Sequence, residues 1–168
     1  MLFHLSEEKG IERFDPRPSD YTPEPVVWAI SEERLCNYLL PRDCPRVTFY
    51  AGLSTSKADI QQFLGESRAV IAVESSWLER IRSSRLYGYH LPGENFECLD
   101  QCAGYFISRV SVVPDGVEVF DDLVGDIVKR DVELRFMPSL RTLRDAVVAS
   151  TLEFSLIRMR NALPHEAS

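Results

Sequence analysis

Residues 69–73 read Ala-Val-Ile-Ala-Val, five apolar positions in succession with no polar residue between them. Bounded by Ser67-Arg68 and Glu74-Ser75, the run has the length of a strand rather than of a helix. A strand that is apolar on both sides lies at the centre of a sheet and must be covered on both faces. The rest of the chain has to supply that cover.

The remaining pattern supplies strands and helices in alternation. Leu2–Ser6 alternates Leu2, His4 and Ser6 against Phe3 and Leu5, as a two-faced strand does. Between Gly10 and Pro25 five prolines or glycines predict a loop. Strands follow at Val26–Ile30 and 46–51, with a helix over Glu32–Leu40 between them, Ser31 as its cap and Pro41 as its stop. Ser56 caps a helix that runs to Leu64 and is ended by Gly65. Ser76-x-x-Glu79 has capping-box spacing and opens a helix through Arg82. Leu86–Leu91 and 104–108 read as strands, and Pro114-Asp115-Gly116 as a turn between arms 110–113 and 117–120. A helix over 121–130 and a strand at Val132–Met137 come next. From Ser139 two apolar stripes, Leu143/Val147/Thr151/Phe154 and Val148/Leu152/Leu156/Met159, predict a long, enclosed C-terminal helix, with Ser150-x-x-Glu153 marking a break near Ala149. The expected fold is α+β: one mixed, mostly antiparallel sheet with short helices packed on it and the long C-terminal helix. We expect one domain over 1–163 and a frayed tail over 164–168.

At 168 residues, with 45% hydrophobic and 27% charged residues, the chain has enough apolar material to bury a core without metal or disulfide. A net charge of −7 argues against duplex nucleic acid as a partner, because phosphate neutralisation needs a basic face. No run approaches the length of a membrane span, and the N-terminus lacks the basic and apolar regions of a signal peptide. With Cys36, Cys44, Cys98 and Cys102 read as reduced thiols, the expected compartment is the cytoplasm. The sequence leaves the oligomeric state and the reactivity of these thiols open.

Phosphate-loop, dinucleotide-fold, zinc-protease and nucleophile-elbow motifs are absent, and no metal site is expected from Cys98-x-x-x-Cys102 or from His4, His90 and His165. Of 19 cations, 16 are Arg, whose planar fork suits carboxylates and phosphates. Candidate chemistry gathers in the first fifty residues. His4 and Ser6 project from one side of a strand and can hydrogen-bond a ribose or another polyol. Arg17, Trp28 and Tyr38 follow, and Pro41-Arg42-Asp43-Cys44-Pro45-Arg46 is a proline-braced corner presenting Arg42 and Arg46. Glu74, at a strand-to-helix junction, and Glu153, on the enclosed final helix, are the carboxylate candidates.

Through Phe3-His4-Leu5-Ser6, Phe14-Asp15-Pro16-Arg17, Val27-Trp28-Ala29-Ile30, Pro41-Arg42-Asp43-Cys44-Pro45-Arg46-Val47 and 146–154 (Ala-Val-Val-Ala-Ser-Thr-Leu-Glu-Phe), the whole chain resembles a bacterial domain family of unknown function. Residues 2–40 also resemble the entry of ADP-ribosyltransferase-like domains. That second resemblance implies NAD as cofactor, His4 as the ribose ligand, Trp28 or Tyr38 as the group stacking on nicotinamide, and Glu74 or Glu153 as the catalytic carboxylate. Leu5 departs from it, standing where that pattern often has Gly.

Three readings follow. One is a binding module that holds a small anionic or nucleotide-like ligand in a cleft lined by His4, Trp28 and arginines. A second is an NAD-dependent ADP-ribosyltransferase-like enzyme. The third is an enzyme of another class acting on a nucleotide or acyl substrate.

Overall fold

The computed structural model describes residues 1–164; His165 and the rest of the expected tail lie outside the described residues. In chain order the strands are β1 (Leu2–Ser6), β2 (Arg17–Ser19), β3 (Thr22–Ser31), β4 (Arg46–Tyr50), β5 (Ala69–Glu74), β6 (Leu86–Leu91), β7 (Glu97–Asp100), β8 (Tyr105–Ser108), β9 (Gly116–Phe120), β10 (Val132–Met137) and β11 (Glu153–Ile157). The helices are α1 (Lys57–Asp59), which runs on into a π-helical turn over Ile60–Leu64, α2 (Leu78–Ser83), α3 (Leu123–Val128) and α4 (Arg141–Val148). The chain is thus α+β with short helices, and its strand pairings are mostly antiparallel. Among the described residues they form two sheets instead of the single sheet expected. The chain also groups into two compact units, each built from two separate stretches.

The first unit takes Met1–Leu39 and Arg85–Asp121. Its sheet runs in the order β7-β8-β3-β1-β6-β9, with β2 added to β3. One face carries Val27, Ala29, Tyr89 and Leu91, closed over by Phe14 and Val112, which bridge each other across the covering loops. Prolines at 18, 23 and 25 did not keep this region a loop, because they fall in the β2–β3 hairpin, where a missing N–H leaves few ladder bonds unmade. Gly88 is where the ring of Phe120 crosses β6; a Cβ there would meet Phe120 Cε2 at 2.7 Å.

The second unit takes Leu40–Ser84 and the chain from Asp122 on. Its sheet has the order β10-β5-β4-β11, and only the β10–β5 pair is parallel. Val70, Ile71, Ala72, Val73 and Glu74 are all buried, so β5 is the two-sided central strand its composition demands. Val47, Phe49, Val70 and Ala72 form a core with Leu140 and Val147 of the α4 region and with Phe63 and Leu64. Gly65, at φ 57°, ends the turn before it in a backbone conformation that other residues seldom adopt.

The long C-terminal helix does not exist. Leu143 and Val147 do face the core from α4, as their spacing requires. Then Ser150 turns its hydroxyl back, donating to Val147 O at 2.6 Å and accepting from Leu152 N–H at 3.1 Å, while Asp59 takes the Thr151 N–H at 2.8 Å. Side chains have replaced the helical ladder at that point. The chain restarts as β11, paired antiparallel to β4 from Glu153↔Tyr50 to Ile157↔Arg46. Two smaller expectations also change. The helix after Ser31 is a 3-10 turn over Glu32–Tyr38, and arm 110–113 forms no strand, since β9 pairs with β6 instead.

Candidate functional site

The expected site residues divide between the units. His4, Ser6, Arg17, Trp28 and Tyr38 belong to the first, and Arg42, Arg46, Glu74 and Glu153 to the second.

Register decides what His4 and Trp28 can share. His4 stands opposite Tyr89 in β6, and its ring lies 4.6 Å from that of Phe14, on the face that carries Val27 and Ala29. Phe3 stands opposite Ile30, and Trp28 opposite Ile107, so Phe3, Ile30, Trp28 and Ile107 share the other face. Imidazole and indole therefore project from opposite sides of one sheet. The imidazole does reach the backbone of Trp28, His4 Nδ1 lying 2.8 Å from Trp28 O. Ser6 is on the His4 side, where its hydroxyl accepts the Glu8 N–H at 3.0 Å in a turn.

On the Trp28 side four rings meet edge to face. Trp28 lies 5.8 Å from Tyr105 and 6.4 Å from Tyr21, and Tyr38 lies 6.3 Å from Tyr105. Near-perpendicular contacts suit the ring quadrupoles, with positive edges on negative faces. Tyr38 and Tyr105 join their hydroxyls at 2.5 Å. Tyr21 is 85% exposed and the other three rings are half-buried, so the group reaches solvent. Arg17 pairs with Val26, two residues before Trp28, and so borders the same side. At the opposite border Arg109 donates to Glu24 at 2.8 Å and to Glu97 at 2.7 Å, and both carboxylates hold its guanidinium firmly protonated. Its charge is spent.

Arginine has a different use in the second unit. Arg46 is 2% exposed and donates to the carbonyls of Cys44 at 3.0 Å, Pro41 at 2.9 Å and Arg42 at 3.4 Å. It braces the proline corner from inside and is closed to a ligand from solvent. Glu74, 1% exposed, accepts the Leu163 N–H at 2.9 Å. Between them lies Cys44, whose thiol burial pushes up to about 11, with Arg46 pulling it down and Glu74 adding to the rise. This cluster is inert to solvent chemistry. Arg42 is exposed on the same corner. Glu153 opens β11 rather than sitting on a helix, its side chain over Gly52, where a Cβ would come within 2.5 Å of Glu153 Cγ.

The second unit also holds a shallow cleft of about 390 Å³ between α2 and α3, lined by Leu78, Leu123, Val124 and Phe136 with Arg82 and Asp122. Asp122 is engaged as the cap of α3 through the Gly125 N–H at 3.0 Å. Among the described residues no three His, Cys, Asp or Glu side chains come together as a metal site, and no helix is long and apolar enough to cross a membrane.

Sequence reasoning missed Tyr21, Tyr105 and the Glu24–Arg109–Glu97 triad. Tyr21 was lost to the expected loop, and Tyr105 carries no local signal apart from its place in a strand. The meeting of Tyr105 with Trp28 depends on β8 pairing with β3, across nearly eighty residues of chain.

Residues 3–162 match the model of a family of unknown function, DUF6886, and the chain belongs to that family. Neither the curated proteins nor the solved structures give a match.

Proposed function

We propose that this family member is a small-molecule-binding module, and that its ligand is nucleotide-like: a flat ring with an anionic group. The ring lies against the Trp28, Tyr105, Tyr38 and Tyr21 group, and Arg17 at the border takes the anion. One observation carries the reading, namely four aromatic rings assembled from three separated stretches of sequence and left open to solvent. Exposed indole and phenol faces stack planar rings at low entropic cost, since each has two side-chain torsions to fix. Arg17 supplies charge that Arg109, held by two carboxylates, does not. The free thiols support a cytoplasmic location.

The chain's two tryptophans make the test direct. In a Trp77→Phe background, Trp28 fluorescence is titrated with AMP, ADP and NAD up to about 1 mM, the weak end of useful affinity. The expected result is saturable quenching that Arg17→Glu abolishes without lowering the melting temperature. His4→Ala leaves the quenching intact, because His4 is on the other face, whereas an ADP-ribosyltransferase-like site would lose it. No quenching by any of the three removes the proposal.

A further inference from the structure

The cleft between α2 and α3 is assembled wholly within the second unit and shares no residue with the aromatic face. Leu78 and Arg82 stand one turn apart on α2 and so line it from the same side of that helix. Leu123 and Val124 open α3 on the other wall, and Phe136 comes up from β10. Leu123 is buried while Leu78, Val124 and Phe136 are half-buried, so four side chains give an apolar lining that solvent reaches. Two opposite charges share that lining, Arg82 and Asp122, and both are exposed. Neither is used up. Arg82 meets Glu79 at 3.9 Å, a contact between largely exposed side chains that contributes little and leaves guanidinium donors for a ligand. Asp122 accepts the Gly125 N–H through Oδ1 and keeps Oδ2 as an acceptor.

We propose that this cleft binds a free α-amino acid with an apolar side chain. The carboxylate goes to Arg82, the ammonium to Asp122, and the hydrocarbon lies against Leu78, Leu123, Val124 and Phe136. A volume of about 390 Å³ is at the small end of the roughly 300–1,000 Å³ that ligand sites span, and such sites pair an apolar wall with a few polar groups. The two charges select the class. A fatty or aryl carboxylate would bring its anion beside Asp122, and an alkyl amine its cation beside Arg82, each leaving one charge of the cleft unanswered. A peptide chain holds its ammonium and carboxylate at distant ends. A free amino acid carries both on one carbon, within reach of one small cleft. Polar side chains find no partner on the apolar lining.

Isothermal titration calorimetry of the full chain with L-phenylalanine tests this, the expected Kd being on the order of 100 μM. Two further probes keep the hydrocarbon and remove one charge each: 3-phenylpropanoate lacks the ammonium and 2-phenylethylamine lacks the carboxylate. Each should bind about tenfold more weakly or worse. Asp122→Asn, which keeps an acceptor for the Gly125 N–H, should weaken L-phenylalanine by a similar factor and leave 3-phenylpropanoate no weaker than before. Arg82→Gln should weaken L-phenylalanine likewise and spare 2-phenylethylamine. Val124→Trp fills the cleft from a half-buried position and should abolish binding with the melting temperature kept. No binding of L-phenylalanine up to about 10 mM overturns the proposal. So does 3-phenylpropanoate that binds as tightly as L-phenylalanine, or L-phenylalanine binding that Asp122→Asn or a folded Val124→Trp variant leaves intact.

Discussion

Two groups of arginines, one in each unit of this protein, are put to opposite uses. In the second unit arginine works inward. Arg46 satisfies three carbonyls of the proline corner, Arg135 reaches Phe63 O at 2.7 Å while bonding Glu133, and Arg141 gathers the carbonyls of Met159, Ala162 and Leu163. In the first unit Arg17 and Arg109 lie at the border of an open aromatic face. Buried backbone carbonyls must find donors, and one guanidinium can serve several of them at once. Arginine content alone therefore says little about anion binding; the depth of each guanidinium tells the two uses apart.

The contrast breaks most plainly at Arg46. Arg46→Leu strips buried carbonyls of their donor and is expected to lower unfolding free energy by about 3–5 kcal/mol, read from urea denaturation. Arg17→Glu should move the same measurement by no more than about 0.5 kcal/mol, as an ordinary surface change does. If the two costs come out alike, the distinction falls. Glu74→Leu leaves the Leu163 N–H unmet and should cost about 1–3 kcal/mol, again by urea midpoint.

Acid titration sharpens the comparison, since both units hold a carboxylate that hydrogen bonds tune in the same direction. Hydrogen bonds from Ser111 and then Arg13 hold Asp15 below its ordinary 3.8, and those from Thr151 hold Asp59 below the same value. A depressed folded value means stabilisation that is fully present above the ordinary value and drains away as pH falls through the folded one. Asp59→Asn should flatten the fall in melting temperature below about pH 4, and Asp15→Asn should do the same. The smallest effect concerns thiols. A disulfide reagent at about pH 8 should modify exposed Cys98 and Cys102 quickly and leave Cys44 intact, its thiol being pushed up to about 11 by burial.

How far the sequence could be read depended on where the deciding partner lay. β5 and β10 were legible because composition and alternation are local properties, and the stop at Gly65 because glycine at positive φ is a local necessity. The C-terminal half of the expected long helix failed on Asp59, a carboxylate ninety residues away that takes the Thr151 N–H. Phe154-Ser155-Leu156-Ile157 fits a strand as well as a helix, so periodicity could not choose. At the candidate site Trp28 and Tyr38 were picked out, yet the pairing of His4 with Trp28 failed on strand alternation. Both residues lie in strands that were expected, but their sides follow from how β1 and β3 register, which no single stretch encodes. Arg46 looked like a clamp because its burial is invisible in a charged, proline-flanked string.

The path of the chain through the second unit has a bearing on its biosynthesis. β4 and β5 leave the ribosome early, yet β10 arrives some sixty residues after β5, and β11, which closes the free side of β4, comes last of the four. Throughout that interval a nascent chain carries an apolar two-stranded ribbon with both flanks bare, a species prone to stick to its neighbours on the same message. Completion of this sheet therefore waits on β10 and β11, however soon β4 and β5 have paired.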